Sequence, residues 1–144
     1  FNNFKTDGSA GHNSLFPDAD FFLMRAAEAY LMYAEADARQ NNGTTTALGT
    51  AYINALRTRA NATTQTAYSL RQICDEWSRE FYFEGLRRTT LIRFGYFGGN
   101  VNYNWSWKGG VKNGRNFDSH LNLFPIPTSD LVANEANLIQ NPGY

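Results

Sequence analysis

The stretch Arg79-Glu80-Phe81-Tyr82-Phe83-Glu84-Gly85-Leu86-Arg87-Arg88 decides how the chain is read. Glu80 and Glu84 stand four residues apart with three aromatics between them, and a glycine and two arginines follow. On a helix this spacing sets both carboxylates on one face, and Glu76 extends the row. Glycoside hydrolysis needs two carboxyls flanking a scissile bond, about 5 Å or about 6.5–9.5 Å apart. Helix neighbours can match the shorter separation, yet they project the same way and cannot bracket a sugar. Arg79, Arg87 and Arg88 also stand close enough to neutralise them, which lowers a carboxylate pKa and spoils a general acid. The stretch reads as a strut. Phe81 and Phe83 are expected to pack, while the carboxylates anchor arginines and neighbouring helix ends. No residue is assigned a catalytic role, and the chain is read as non-enzymatic.

Upstream, a helix is expected over about 21–40, with Asp18 or Asp20 as its cap. Leu23, Ala27, Tyr30, Ala34 and Ala38 form one stripe of it. Arg25, Glu28, Met32, Glu35 and Arg39 form another, where Arg25 can pair with Glu28 and Glu35 with Arg39. Asn41-Asn42-Gly43 ends the helix. A second helix over about 46–60 is expected to bury Leu48, Ala51, Tyr52, Ala55 and Leu56. A third runs from near Ser69 to Glu84 with Gly85 as its stop, and a short fourth covers Arg87 to Phe94 and ends at Gly95. The fold class is therefore all-α, with two helical hairpins over about 20–94 in the manner of a tetratricopeptide solenoid.

The chain is read as a single region 1–144, and the part after the hairpins has a different character. Residues 96–122 form a long loop with the aromatics Tyr96, Phe97, Tyr103, Trp105, Trp107 and Phe117. A loop of that length in a compact domain is functional or pinned by a partner. Residues 123–144 are a turn segment: Pro125-Ile126-Pro127 forces extension, Thr128 or Ser129 can cap a short helix, and Gln140-Asn141-Pro142-Gly143-Tyr144 cannot be helical.

Bulk composition excludes several functions. The 144 residues carry 13 basic and 13 acidic side chains, so no nucleic-acid or anionic-membrane partner is implied. Charged residues are few at 18 % and aromatics many at 15 %, a balance that suits secreted proteins handling sugars. The sequence contains no run of about 20 apolar residues, the length needed to span a bilayer. His12 and His120 are isolated, and Cys74 reads as a buried structural thiol. Asp7, Asp18 and Asp20 could contribute to a calcium site, but the glycine-spaced loop is missing and capping is the better reading. No metal and no cofactor is assigned.

The aromatic loop holds the candidate ligand contacts. Trp and Tyr faces stack on the apolar C–H faces of sugars, and Asn bonds vicinal hydroxyls. Tyr103, Asn104, Trp105 and Trp107, with Asn102 and Lys108 nearby, could form such a platform. The same aromatics could instead anchor the loop on the helices, the favoured reading, or meet a partner protein.

Four blocks, the last of them in two parts, then resemble a known family. Arg25-x-x-Glu28-x-x-Leu31-x-x-Ala34-Glu35-Ala36 is similar to the first helix of the C-terminal region in the SusD/RagB family. Asn54-x-x-Arg57-x-Arg59-Ala60 resembles its next signature. Glu76-x-x-Arg79-Glu80-x-x-Phe83-Glu84-Gly85-x-Arg87 with Leu91-x-Arg93 resembles its most diagnostic block. Phe124-Pro125-Ile126-Pro127 and the last five residues resemble its ending. Trp77, Thr90, Asn61 and Asn134-Glu135 depart from the pattern. The resemblance gives Glu28, Glu35, Arg57, Arg59, Glu80, Glu84, Gly85 and Arg87 structural roles. It implies a surface lipoprotein of the outer membrane that captures nutrients, mostly glycans and in some cases peptides, beside a SusC-like TonB-dependent transporter. It also implies that this chain is the C-terminal part of a longer protein. The membrane anchor would then be a lipid-bearing cysteine at an N-terminus absent here, which Cys74 is not. A rival reading is a helical scaffold that only docks onto the transporter, leaving ligand capture to the missing N-terminal part.

Overall fold

Four helices and their contacts follow the two-hairpin expectation, with shifted ends. The computed structural model describes residues 4, 5, 7–12, 22–99, 101–135 and 137–144. Helix α1 spans Ala26–Gln40, α2 Ala47–Arg59, α3 Leu70–Glu80, α4 Arg87–Arg93 and α5 Thr128–Ala133. Short 3-10 turns occupy Lys108–Gly110 and Ser119–Asn122. Helix α1 packs on both α2 and α3, and α3 on α4. The described residues pair as β only in isolated bridges, such as Thr44 with Ser69 and Gly98 with Phe117. The aromatic run 81–83 forms a turn, despite its β propensity.

Helix α1 begins later than its apolar pattern indicates. Arg25 is its N-cap, with extended backbone (φ −147°, ψ 157°) and no side-chain cap. The expected caps Asp18 and Asp20 lie outside the described residues. Ala27, Ala34 and Ala38 are buried as expected, together with Leu31. Leu23 precedes the helix and is exposed, and Tyr30 sits at the rim, its ring 4.9 Å from that of Tyr52.

Helix α2 turns a different face inward. Gly49, Thr50, Ile53 and Leu56 are buried, whereas Leu48 is exposed, as are Ala51 and Ala55, and Tyr52 is half-buried. The cause is close approach. A Cβ on Gly49 would collide with the Asp37 carboxylate of α1, so the glycine must face α1. Thr50 follows it in, its hydroxyl bonded to that of Thr45 at 2.7 Å. Asp37 accepts from Thr46 N at 2.6 Å and from Thr46 Oγ1 at 2.9 Å, holding the first turn of α2 from outside the helix.

Helix α3 starts in a capping box between Ser69 and Gln72 and buries Ile73, Cys74, Glu76 and Trp77. It stops at Glu80, one turn early. Phe83 adopts a left-handed φ of 64° and Gly85 one of 77°, so Glu84 and Gly85 lie in the turn before α4. Phe81 packs at 5 % exposure, but Phe83 stands 88 % exposed, contrary to the packing expected of it. Helix α5 has Pro127 at its N-cap position with no side-chain cap, in place of Thr128 or Ser129. The ending is clamped instead by Gln140, which accepts from Ile126 N at 2.8 Å and donates to Ile126 O at 3.0 Å.

Removing the outside cap should cost stability without changing the fold. Asp37→Ala should lower the urea unfolding free energy by about 0.5–2 kcal/mol at unchanged helical circular dichroism. A neutral Asp37→Ala would show that the α1–α2 connection does not depend on this carboxylate.

Candidate functional site

The opening carboxylates converge on arginines from other helices. Arg25 donates from Nε to Glu84 Oε2 at 2.9 Å and from Nη2 to Glu84 Oε1 at 2.7 Å, and it also bonds the Glu80 carboxylate and backbone carbonyl. Arg59 of α2 reaches the same Glu80 at 2.5 Å. Arg57 of α2 and Arg79 of α3 each meet Glu76 at 2.7 Å. Arg39 of α1 and Arg93 of α4 each meet Glu35 at 3.0 Å. Glu35, Glu76 and Glu80 side chains are only 7–8 % exposed. Each therefore ties separate segments together through a charge-assisted pair of contacts.

This corrects two readings. Arg25 pairs with Glu80 and Glu84 rather than with Glu28, which lines the adjoining surface grooves. Arg87 and Arg88 do not neutralise the glutamates. Arg87 donates to Cys74 O at 3.0 Å and to the Tyr103 hydroxyl at 2.8 Å, and Arg88 donates to Leu121 O at 2.8 Å. Arg88 also lies 3.8 Å from the centroid of Phe124, so it holds the C-terminal turn against α4. The strut reading stands with different arginines. Burial alone would raise the Glu80 pKa, but bonds from Arg25 and Arg59 outweigh it and hold the carboxyl below 4.5. A carboxylate kept charged in this way is a poor general acid.

The aromatic loop is pinned along the far side of α3. Tyr103 is 7 % exposed, stacks on Tyr96 at 4.7 Å and bonds Asp75 and Arg87 through its hydroxyl. Burial, with the Asp75 contact, pushes its phenol up to about 12. Lys108 is 1 % exposed, with its ammonium 4.9 Å from the Trp105 ring and 5.0 Å from that of Phe117, and it donates to Tyr103 O at 3.1 Å. Desolvation lowers its pKa. Of the expected platform, Tyr103 is thus drawn into the interior, while Asn104 is exposed and Trp105 is 39 % and Trp107 66 % exposed. Trp107 holds its ring out from a left-handed backbone, φ 69°. Asp75, which receives the Tyr103 hydroxyl, had no short-range signal in the sequence, and Lys108, noted there only as a neighbour of the aromatics, holds the loop from within.

Among the described residues no group of His, Cys, Asp and Glu could hold a metal ion. Asp7 accepts from Ser9 instead. Cys74 is buried, and burial pushes its thiol pKa up. Among the described residues no helix is long and apolar enough to cross a membrane.

These features define a helical-repeat frame carrying a pinned aromatic loop, and comparison with known proteins agrees. Residues 2–144 match the SusD family. The chain is 46 % identical over 143 residues to the starch-binding protein SusD of Bacteroides thetaiotaomicron, covering 99 % of this chain and 25 % of that protein. Surface glycan-binding protein A from Bacteroides thetaiotaomicron shares the fold with a TM-score of 0.70 at 23 % identity, over 94 % of this chain and 29 % of that one. A SusD superfamily protein from Parabacteroides distasonis gives 0.67 at 25 % identity, over 92 % of this chain and 29 % of that one. The chain belongs to the SusD family, and its tetratricopeptide-like helix pairs are the family's architecture. It spans about a quarter of the length of the curated relative it matches.

Glu80 offers a pH test. Its folded pKa is depressed, so its stabilisation is present above the unfolded value and lost as pH falls through the folded one. Urea unfolding should show stability dropping as pH falls below 4.5. Glu80→Gln should be less stable at pH 7 by about 1–3 kcal/mol and should show a shallower acid dependence. Equal acid dependence in both proteins would remove Glu80 from the network's energetics.

Proposed function

We propose that this chain is the C-terminal frame of a glycan-binding subunit in an outer-membrane uptake complex served by a TonB-dependent transporter, acting without catalysis or cofactor. The observation that carries it is the identity to a starch-binding protein along essentially the whole chain. In this reading the protein sits at the cell surface as a lipoprotein, anchored by a lipid at an N-terminal cysteine outside these residues, with a SusC-like transporter as its protein partner and an oligosaccharide as its ligand. A peptide ligand is the variant of the same reading.

The pinned loop supports a division of labour. Tyr103 and Lys108 are committed to holding the loop, so within it Trp107, the open part of Trp105 and Asn104 are the groups left to touch a ligand. The commitment of Tyr103 also favours a second reading, a scaffold that mates with the transporter and leaves capture to the rest of the polypeptide.

A few stacking contacts at about 1 kcal/mol each must offset the entropy of association. Isothermal titration of residues 1–144 with maltotriose should therefore give a dissociation constant on the order of millimolar or weaker. A micromolar constant abolished by Trp107→Ala would make the loop a main binding site and overturn the frame reading.

A further inference from the structure

Glu28 is the exception among the carboxylates that the fold draws in. Glu35, Glu76, Glu80 and Glu84 hold arginines, Asp37 holds Thr46, and Asp75 receives the Tyr103 hydroxyl. Glu28 is half-buried too, yet among the described residues its carboxylate has no hydrogen-bond or ion-pair partner. Arg25, one turn away, is committed to Glu80 and Glu84.

An unpaired carboxylate on a polar helix face is solvated and needs no account. The surroundings of Glu28 are apolar. It lines two adjoining grooves, one of about 440 Å³ with Met24, Ala29 and Met32, the other of about 200 Å³ with Phe22, Leu23 and Phe81. Phe22, Leu23, Met24 and Met32 are 53–85 % exposed, so large apolar side chains stand open beside a half-buried charge. Ala26, Ala29 and Ala36 are exposed as well, although the opposite side of α1 is packed through Ala27, Leu31, Ala34 and Ala38. A helix that is apolar on opposite sides is suited to cover on both. The smaller groove is continuous with the α1–α3 seam, since Arg25 and Glu84 also line it.

These walls select an occupant with apolar side chains and one cation. A neutral sugar brings no cation, and a lone ion leaves the apolar walls uncovered. A polypeptide segment bearing an arginine supplies both. Arginine is the partner of Glu35, Glu76 and Glu80, and its weakly hydrated guanidinium suits a half-buried pair better than a lysine ammonium. In a helical-repeat array the outer face of one repeat is buried by the next. The chain spans 25 % of its curated relative, so a polypeptide of that length holds further segments to supply the neighbour.

We propose that the groove beside Glu28 seats an apolar segment of the same polypeptide, outside residues 1–144, that pairs an arginine with the Glu28 carboxylate. That segment exists only if these residues are the frame of a longer subunit, as in the reading above.

Met24 and Met32 are the 2 methionines of these residues, and both line the larger groove. Hydrogen peroxide turns an accessible thioether into a sulfoxide, so peptide mass spectrometry of the intact polypeptide reads the cover of the groove. Both should oxidise at least about tenfold more slowly than N-acetylmethioninamide. Glu28→Lys sets two cations against each other and should raise both rates about tenfold, and Glu28→Gln about threefold, with helical circular dichroism unchanged. Should Glu28→Lys lose helicity, Glu28→Gln decides. Rapid oxidation of both methionines in the parent would overturn the proposal by showing an open groove. Slow oxidation unchanged by either substitution would also overturn it, because the cover would not depend on a cation at Glu28. Protection gained only on adding the SusC-like transporter would assign the groove to that partner instead. Failure of the intact polypeptide to bind any of maltotriose, cellotriose and xylotriose would sink the glycan reading and leave the groove assignment standing.

Discussion

Largely buried glutamates held between arginines of separate segments are the constraint on which the rest of the structure depends. Glu35 joins α1 to α4, Glu76 joins α2 to α3, and Glu80 joins the start of α1 to α2 and α3. A buried ion pair is weak evidence of net stability, because desolvation offsets much of the Coulombic gain. Breaking one by removing a partner is a different matter, since it strands a charge. The network therefore works chiefly as a register device. Helices whose apolar faces are rich in alanine, such as α1, could slide; the arginine–carboxylate geometry admits one setting.

That setting fixes what the other side of α3 can present. With Glu76 and Glu80 turned to α1 and α2, Asp75 and Cys74 O are left to receive Tyr103 and Arg87. Those contacts seat the loop, and Lys108 closes it from within. Trp107 at one place and Phe83 at another then project from left-handed backbone positions. Strained, exposed aromatics on a rigid frame suit a surface that meets something else.

The helices were legible in the sequence because their apolar spacing, the start near Ser69 and the Asn41-Asn42-Gly43 stop are local signals. The pairs Glu35–Arg39 and Glu76–Arg79 were equally legible at i, i+4 and i, i+3. Arg25, Arg57 and Arg59 were marked as motif residues, but their partners were not, since contacts across 55, 19 and 21 residues leave no spacing to read. The face of α2 was misread because alanine and leucine surround it and only the approach of Asp37 to Gly49 chooses a side. The end of α3 was misread because Gly85 looks like the stop, while Phe83 takes the left-handed conformation two residues sooner. Of the candidate platform, burial of Tyr103 agrees with the favoured packing reading but depends on Asp75 and Arg87, which no local rule connects to it, and no sequence signal separated it from the exposed Trp105 and Trp107.

The register claim is tested most directly by a double-mutant cycle between Arg25 and Glu84, whose bidentate contact closes the α1–α3 seam. Unfolding free energies of the parent, Arg25→Met, Glu84→Gln and the double variant give the coupling without contributions from either residue alone. The account expects a favourable coupling of about 1–3 kcal/mol at pH 7 that persists at high salt, as for a partly buried, charge-assisted pair. A coupling near zero, or one that vanishes with salt, would make the pair an ordinary surface contact and contradict the claim that these carboxylates set the frame.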